Sequence, residues 1–170
     1  MKKLLISSLL VVIINIHADN NSSILEWTTK NTLETFNYNA LNFKEKLSSI
    51  QPKFTDSGWK RYKQALNSSG NIDYVVEHNL IVRGKSNGEP TIKKLIEKDD
   101  AKEKWEVIMP AIVLYLNEYF TVTQEITTYV TVERILESNK YAISDINSNL
   151  NKPMTVITST PSKPSSCQAG

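Results

Sequence analysis

One cysteine and two histidines among 170 residues leave this chain few soft or imidazole ligands. Cys167 has no second cysteine to pair with, so intramolecular disulfides and cysteine-based metal clusters are excluded. His17 and His78 are too few for a zinc hydrolase site, and they stand against a histidine-based triad. The phosphate loop G-x-x-x-x-G-K-[ST], the dinucleotide motif G-x-G-x-x-G and the nucleophile elbow G-x-S-x-G are all missing. Long apolar runs are missing as well, with one exception at the N-terminus.

That exception reads as an export signal. Lys2 and Lys3 precede the apolar run Leu4 to Ile14, and Ala18 is a small residue suited to the position before a cut. The run is shorter than the roughly 20 residues a spanning helix needs. A secretory signal cleaved after Ala18 is the expectation, with an uncleaved inner-membrane anchor facing the periplasm as the alternative. Loss of Lys2 and Lys3 leaves 18 basic against 18 acidic residues. A neutral mature chain gives no electrostatic reason to bind nucleic acid or a membrane surface.

What is present is a packable composition, 40% hydrophobic and 22% charged, in one domain expected to span residues 19–146. From Ser23 to Asn79 the period is helical. Ser23-Ile24-Leu25-Glu26 fits a capping box ahead of a helix carrying Trp27, Leu33 and Phe36. Phe43, Leu47 and Ile50 mark a second helix stopped by Pro52. Thr55 is the expected N-cap of a third, with Phe54 and Trp59 spaced as a hydrophobic staple and Trp59, Tyr62 and Leu66 on one face. A short turn of helix around Ile72, Val75 and Val76 follows.

Then the period changes to two. Strands are expected at Leu80 to Lys85, Thr91 to Lys98, Lys104 to Leu116 and Phe120 to Arg134, with a short last segment from Tyr141 to Ile146. In the fourth, Phe120, Val122, Ile126, Val130 and Val132 share one parity, and threonines and glutamates the other. That pattern gives one buried and one wet face. Its length predicts a bend or bulge, and Pro110 predicts a bulge or unpaired edge in the third strand. Ile112 to Leu116 is apolar on both parities, so that end should be covered twice or meet a partner. Residues 147–170, rich in Ser, Thr and Pro, are expected to be a disordered tail. The sum is an α+β roll: helices against one face of a bent four-stranded antiparallel sheet.

Few side chains suggest chemistry. His78 fits a helix-end or surface role. Asp99 and Asp100 fit a hairpin tip better than a metal site. Trp59, Tyr62, Trp105 and Tyr115 could line a pocket in a concave sheet, but core packing is favoured. Lys60, Arg61 and Lys63 form a basic helix face, and Ile112, Leu114 and Leu116 an apolar strand face. These six are the candidate partner contacts.

The run Phe54 to Asp73, matching F-T-x-x-G-W-x-x-[FY]-x-x-A-L-x-x-S-G-N-[IL]-D, resembles the DotI/IcmL family of type IVB secretion and conjugation proteins. So do Trp105-Glu106-Val107-Ile108-Met109-Pro110 with the apolar strand to Tyr115, and Val130 to Arg134. The Trp27 helix and Asn42 to Leu47 fit in order, so the resemblance runs from about Trp27 to Ile146. It implies a nuclear-transport-factor-2-like roll in the periplasm, an assembly role, no catalytic residue and no cofactor. The expected partners are other secretion-apparatus proteins, with a homo-oligomer as a further option. Family members have a full transmembrane helix, where this sequence has only the short signal-like segment. A periplasmic roll that binds a small molecule or peptide, and a secreted effector, are the alternative expectations.

Overall fold

The computed structural model describes residues 21–152 and 154–158. The export signal and its cleavage site, the end of the tail and Cys167 lie outside the described residues.

Two long strands organise the molecule. β4 (Lys102–Leu116) and β5 (Phe120–Ile135) form an antiparallel hairpin whose register runs unbroken from Leu116↔Thr121 to Lys102↔Ile135. The Asn117 carboxamide oxygen closes the turn by accepting from the amides of Tyr119 and Phe120 at 2.9 and 3.1 Å. Asn suits this position because its side chain can take the place of backbone in a tight turn.

Each flank of the hairpin carries two shorter strands end to end. Along β4, β2 (Ile81–Ser86) pairs with Ala111 to Leu116, and β3 (Thr91–Lys98) with Glu103 to Ile108. Met109 and Pro110 fall between them. The Asn87 amide donates to the Pro110 carbonyl at 3.0 Å, so the proline nitrogen on that same side faces the β2–β3 break. Of the bulge or unpaired edge expected at Pro110, the structure has the unpaired edge: the missing N–H points to the gap between β2 and β3. Along β5, β6 (Lys140–Leu150) pairs with Ile126 to Ile135, and β7 (Thr155–Thr158) with Phe120 to Thr123. The two-residue β1 (Tyr38–Asn39) edges β2.

Among the described residues the sheet thus has seven strands rather than four. Of the residues expected in a disordered tail from 147 onwards, Asn147 to Leu150 instead continue β6 and Thr155–Thr158 form β7. The expected bulge in β5 lies instead in its neighbour: β6 holds the extra residue, Ser144, opposite the Thr131–Val132 step.

The helices cover one face. α1 is helical through residues 21–34, so Ser23 lies inside the helix and is not its cap. α2 (Phe43–Ile50) runs through a single 3₁₀ turn, Gln51–Lys53, into α3 (Asp56–Ser68), and α4 (Asn71–Glu77) follows. Their apolar residues meet the odd-numbered side chains of β4 in two clusters. Val75, Leu33, Phe36 and Phe43 pack with Met109, Ala111, Val113 and Tyr115. Ile24, Ile50, Phe54 and Trp59 pack with Trp105, Val107, Val130, Val132 and Ile143. The parity read in β5 holds, with Val122, Ile126, Val130 and Val132 all buried.

Gly84 in β2 lets the end of α1 and the turn after it approach the sheet closely. A Cβ there would lie 2.8 Å from the Phe36 Cβ and 3.3 Å from the Leu33 carbonyl. On the far face, Lys104 and Glu133 pair at 2.9 Å across β4 and β5. Burial pushes the Glu133 carboxyl up, but the hydrogen bond and charge of Lys104 outweigh it and hold it below the usual range. A carboxylate depressed in the folded state stabilises above its unfolded range, and that stability is lost as pH falls through the folded value. The melting-temperature advantage of the native chain over Lys104→Met should therefore be present at neutral pH and shrink under acid. An advantage that stays constant on acidification would show that the pair does not contribute.

The α3–β6 joint and the candidate contact surfaces

The segment Phe54-Thr55-Asp56-Ser57-Gly58-Trp59 is a joint between α3 and β6. The Thr55 hydroxyl caps α3 by accepting from the Gly58 amide at 3.1 Å. The Thr55 amide itself donates to the Ile143 carbonyl at 2.9 Å, and Phe54 bridges Ile143 in parallel. Gly58 packs so near β6 that a Cβ would stand 2.5 Å from the Ile143 oxygen and 2.9 Å from the Ser144 oxygen. The Phe54–Trp59 staple forms with ring centroids 5.5 Å apart, and Tyr62 stacks on both rings. Burial pushes the Tyr62 hydroxyl up, so it stays a donor and reaches the Thr35 carbonyl at 3.3 Å.

Arg61 belongs to this joint. Its Nε donates to Asp145 Oδ1 at 2.9 Å and its Nη2 to the Ser144 carbonyl. The β6 bulge turns the carbonyls of Ile143 and Ser144 towards α3, where the Thr55 amide and the Arg61 guanidinium meet them. Arg61 was grouped with Lys60 and Lys63 from sequence, but the three do different things. Lys60 is exposed, and Lys63 Nζ sits 5.5 Å over the Trp59 ring. We expect Arg61→Ala to cost about 1 kcal/mol, since its Asp145 pair is half exposed and only the carbonyl bond is sheltered. Lys60→Ala should stay within about 0.5 kcal/mol. Equal losses for the two, measured by denaturant unfolding, would contradict the assignment.

The apolar candidates Ile112, Leu114 and Leu116 are half-buried on the face away from the helices and belong to neither core cluster. Their neighbours across the ladders are Glu125, Thr123 and Thr121 on β5 and Lys85, Arg83 and Ile81 on β2. So among the described residues the strand is covered on one side only.

Of the candidate pocket aromatics, Trp59, Trp105 and Tyr62 pack together in one core cluster. Tyr115 is buried in the other cluster, and it lines an open cleft. Between α1, α2 and α3 there remains a void of only about 10 Å³, room for a water molecule at most. Asp99 takes the hairpin-tip role: its Oδ1 accepts from the amides of Ala101 and Lys102 at 2.8 and 2.7 Å, which hold the carboxyl below its usual range. His78 ends α4 with Nδ1 3.0 Å from the Tyr74 carbonyl. No three His, Cys, Asp or Glu side chains converge to hold a metal among the described residues.

Three open clefts escaped the sequence reading, one of them a shallow one of about 440 Å³ between α1 and Glu89-Pro90. A second, about 530 Å³, lies at the β4–β5 turn beside Leu41, His78, Leu116 and Tyr119. The third, about 390 Å³, lies between α4 and β7. Asn71 forms its inner wall, donating from Nδ2 to the Tyr115 hydroxyl at 3.0 Å and receiving a longer contact from the Tyr38 hydroxyl at 3.5 Å. These last two were not legible, because β7 and the Leu41 turn carry no periodic signal.

The fold is that of known secretion proteins. The periplasmic domain of DotI superposes with a TM-score of 0.71 at 25% identity, covering 76% of this chain and 94% of that one. An IcmL-like type IV secretion system protein from Legionella pneumophila gives 0.67 at 22% identity, covering 78% and 94%. A periplasmic fragment of TraM gives 0.65 at 17% identity, covering 78% and 97%. Among curated proteins, none matches the chain significantly. The family model described as "Type-IV b secretion system, inner-membrane complex component" matches residues 9–151. The match takes in the capped joint, the packed concave face and the long β4–β5 hairpin together, and the chain belongs to the DotI/IcmL family of type IVb secretion system components.

Proposed function

We propose that this chain is a non-enzymatic periplasmic component of a type IVb secretion or conjugation apparatus, working through contacts with other apparatus proteins. The family match over residues 9–151 carries the reading. The packing of the concave face supports it: side chains of α1, α2 and α3 fill the sheet face beneath them, and the cleft left beside α4 brings together, among the described residues, no histidine and no carboxylate pair. The signature run supports it too: its residues cap, staple and dock a helix.

Residues 1–18 act as a cleaved export signal in this proposal, so the chain docks on the apparatus from the periplasm without an anchor. No helix among the described residues is long and apolar enough to cross a membrane. Mass spectrometry of the N-terminus from fractionated cells tests this part. The expected result is a start at Asp19 in the soluble periplasmic fraction. A start at Met1 in membranes would replace docking by anchoring.

Affinity capture of the tagged chain from cells with the secretion system tests the whole reading. Apparatus proteins should co-purify. Their absence, with a small metabolite retained instead, would favour a ligand-binding roll, and recovery of the chain outside the cell would favour an effector.

A further inference from the structure

We infer that the outer edge of β7 is a docking site for an extended peptide from another protein, one with uncharged, apolar side chains at alternate positions. This rests on the reading that the chain works through protein contacts, and names the chemistry of one partner.

A sheet edge offers a row of free N–H and C=O groups, and natural proteins blunt most of them. The outer edges of this sheet differ sharply. β3 carries Lys93, Lys94 and Lys98 and two bulges, at Ile92/Lys94 and Leu95/Glu97. β6 is partly occupied by Phe54 and Thr55 at Ile143. β7 is Thr-Val-Ile-Thr, with no charge, proline or bulge, and among the described residues it pairs with β5 alone. Its large side chains are exposed, Val156 by 59% and Ile157 by 61%.

A strand added to β7 would send alternate side chains to opposite faces of the sheet. On the face of Val156 they meet the 390 Å³ cleft, lined by Tyr74, Tyr115, Val122, Gln124, Met154 and Val156 and by no charged side chain. Its inner wall is fixed by the Asn71–Tyr115 hydrogen bond. On the other face they lie beside Ile157, which pairs with Thr121. Main-chain groups at the edge select a strand over a helix, and the uncharged cleft selects apolar side chains.

Two other occupants fit poorly. Residues 159–170, Ser-Thr-Pro-Ser-Lys-Pro-Ser-Ser-Cys-Gln-Ala-Gly, contain no Val, Ile, Leu or aromatic residue to fill the cleft. A second copy pairing β7 with β7 would make a ladder of four residues, far below the roughly 1,200 Å² of a stable interface.

The test uses the purified chain and a displayed library of seven-residue peptides, with Val, Ile, Leu, Phe or Tyr at alternate positions and Thr, Ser or Gln between. Enriched peptides should slow amide exchange in β7. They should bind Val156→Lys at least tenfold more weakly, and lose binding when their alternate amides are N-methylated. No enrichment over the Val156→Lys control would overturn the proposal. So would β7 protection that rises with protein concentration alone, or that vanishes on truncation after Thr158. Failure here with apparatus capture intact removes only the edge proposal, and peptide binding without capture removes the secretion reading instead.

Discussion

Gly58→Ala is expected to destabilise the protein by about 2 kcal/mol, against the sign that helix propensity gives. Within a helix, alanine is favoured over glycine by about 1 kcal/mol. Gly58 sits inside α3, with helical backbone that any residue could adopt. The obstacle is the partner strand. The added Cβ would lie 2.5 Å from the Ile143 carbonyl oxygen, which is backbone and also accepts the Thr55 amide. Side chains can turn aside from an overpacked atom, but this carbonyl cannot move without breaking the Thr55 bond. Overpacking costs of about 1–3 kcal/mol or more are usual when nothing can yield. For a chain of this size the loss should lower the melting temperature by about 5 °C. Gly58→Val should lose more, and a melting temperature raised by Gly58→Ala would show that α3 does not rest on β6 as described.

Trp59→Ala should cost about 3–5 kcal/mol, the range for removing a large aromatic from a core. Trp59 is buried in the cluster around Trp105, Val130, Val132 and Ile143, and its ring touches Phe54, Tyr62 and the Lys63 ammonium. Deleting it empties the space between α3 and the sheet and leaves Tyr62 without one of its two stacking partners. Domains are stable by about 5–15 kcal/mol, so this single loss takes a large share. Trp59→Phe keeps the ring and should lose much less. The contrast, read by urea unfolding, separates a core role from a ligand-stacking role, because a pocket tryptophan could be cut back with little loss of stability.

The long strands were legible because their physics is local. Alternation from Val122 to Val132 tells which face is buried without reference to any neighbour, and the Asn87-Gly88 turn separates β2 from β3. The third helix was legible for the same reason: Thr55, Phe54 and Trp59 cap and staple within six residues. What escaped depends on distance in the sequence. Nothing near Gly58 says that Ser144 will press on it, and nothing near Ser144 says that a bulge there will turn its carbonyl to Arg61. β1 and β7 escaped because two or four residues cannot show a period, and the polar run Asn147-Ser148-Asn149 hid the end of β6. Ser23 misled because its spacing to Glu26 is right for a cap that the helix, already formed at residue 21, does not need there.

The candidate surface changed in the same way. Lys60, Arg61 and Lys63 are close in sequence and looked like one patch. Long-range partners divide them, with Arg61 held by Asp145 and Ser144, Lys63 over Trp59, and Lys60 exposed. Ile112, Leu114 and Leu116 stay together on the uncovered face and remain the apolar candidates that sequence alone proposed.

Substrate transfer by a strain lacking this chain tests the central claim most directly. If the chain is a working part of a type IVb apparatus, deletion should reduce effector translocation or conjugal DNA transfer at least tenfold. The native chain should restore transfer, while Trp59→Ala, which undermines the fold, should not. Transfer at the wild-type rate in the deletion strain would contradict the account.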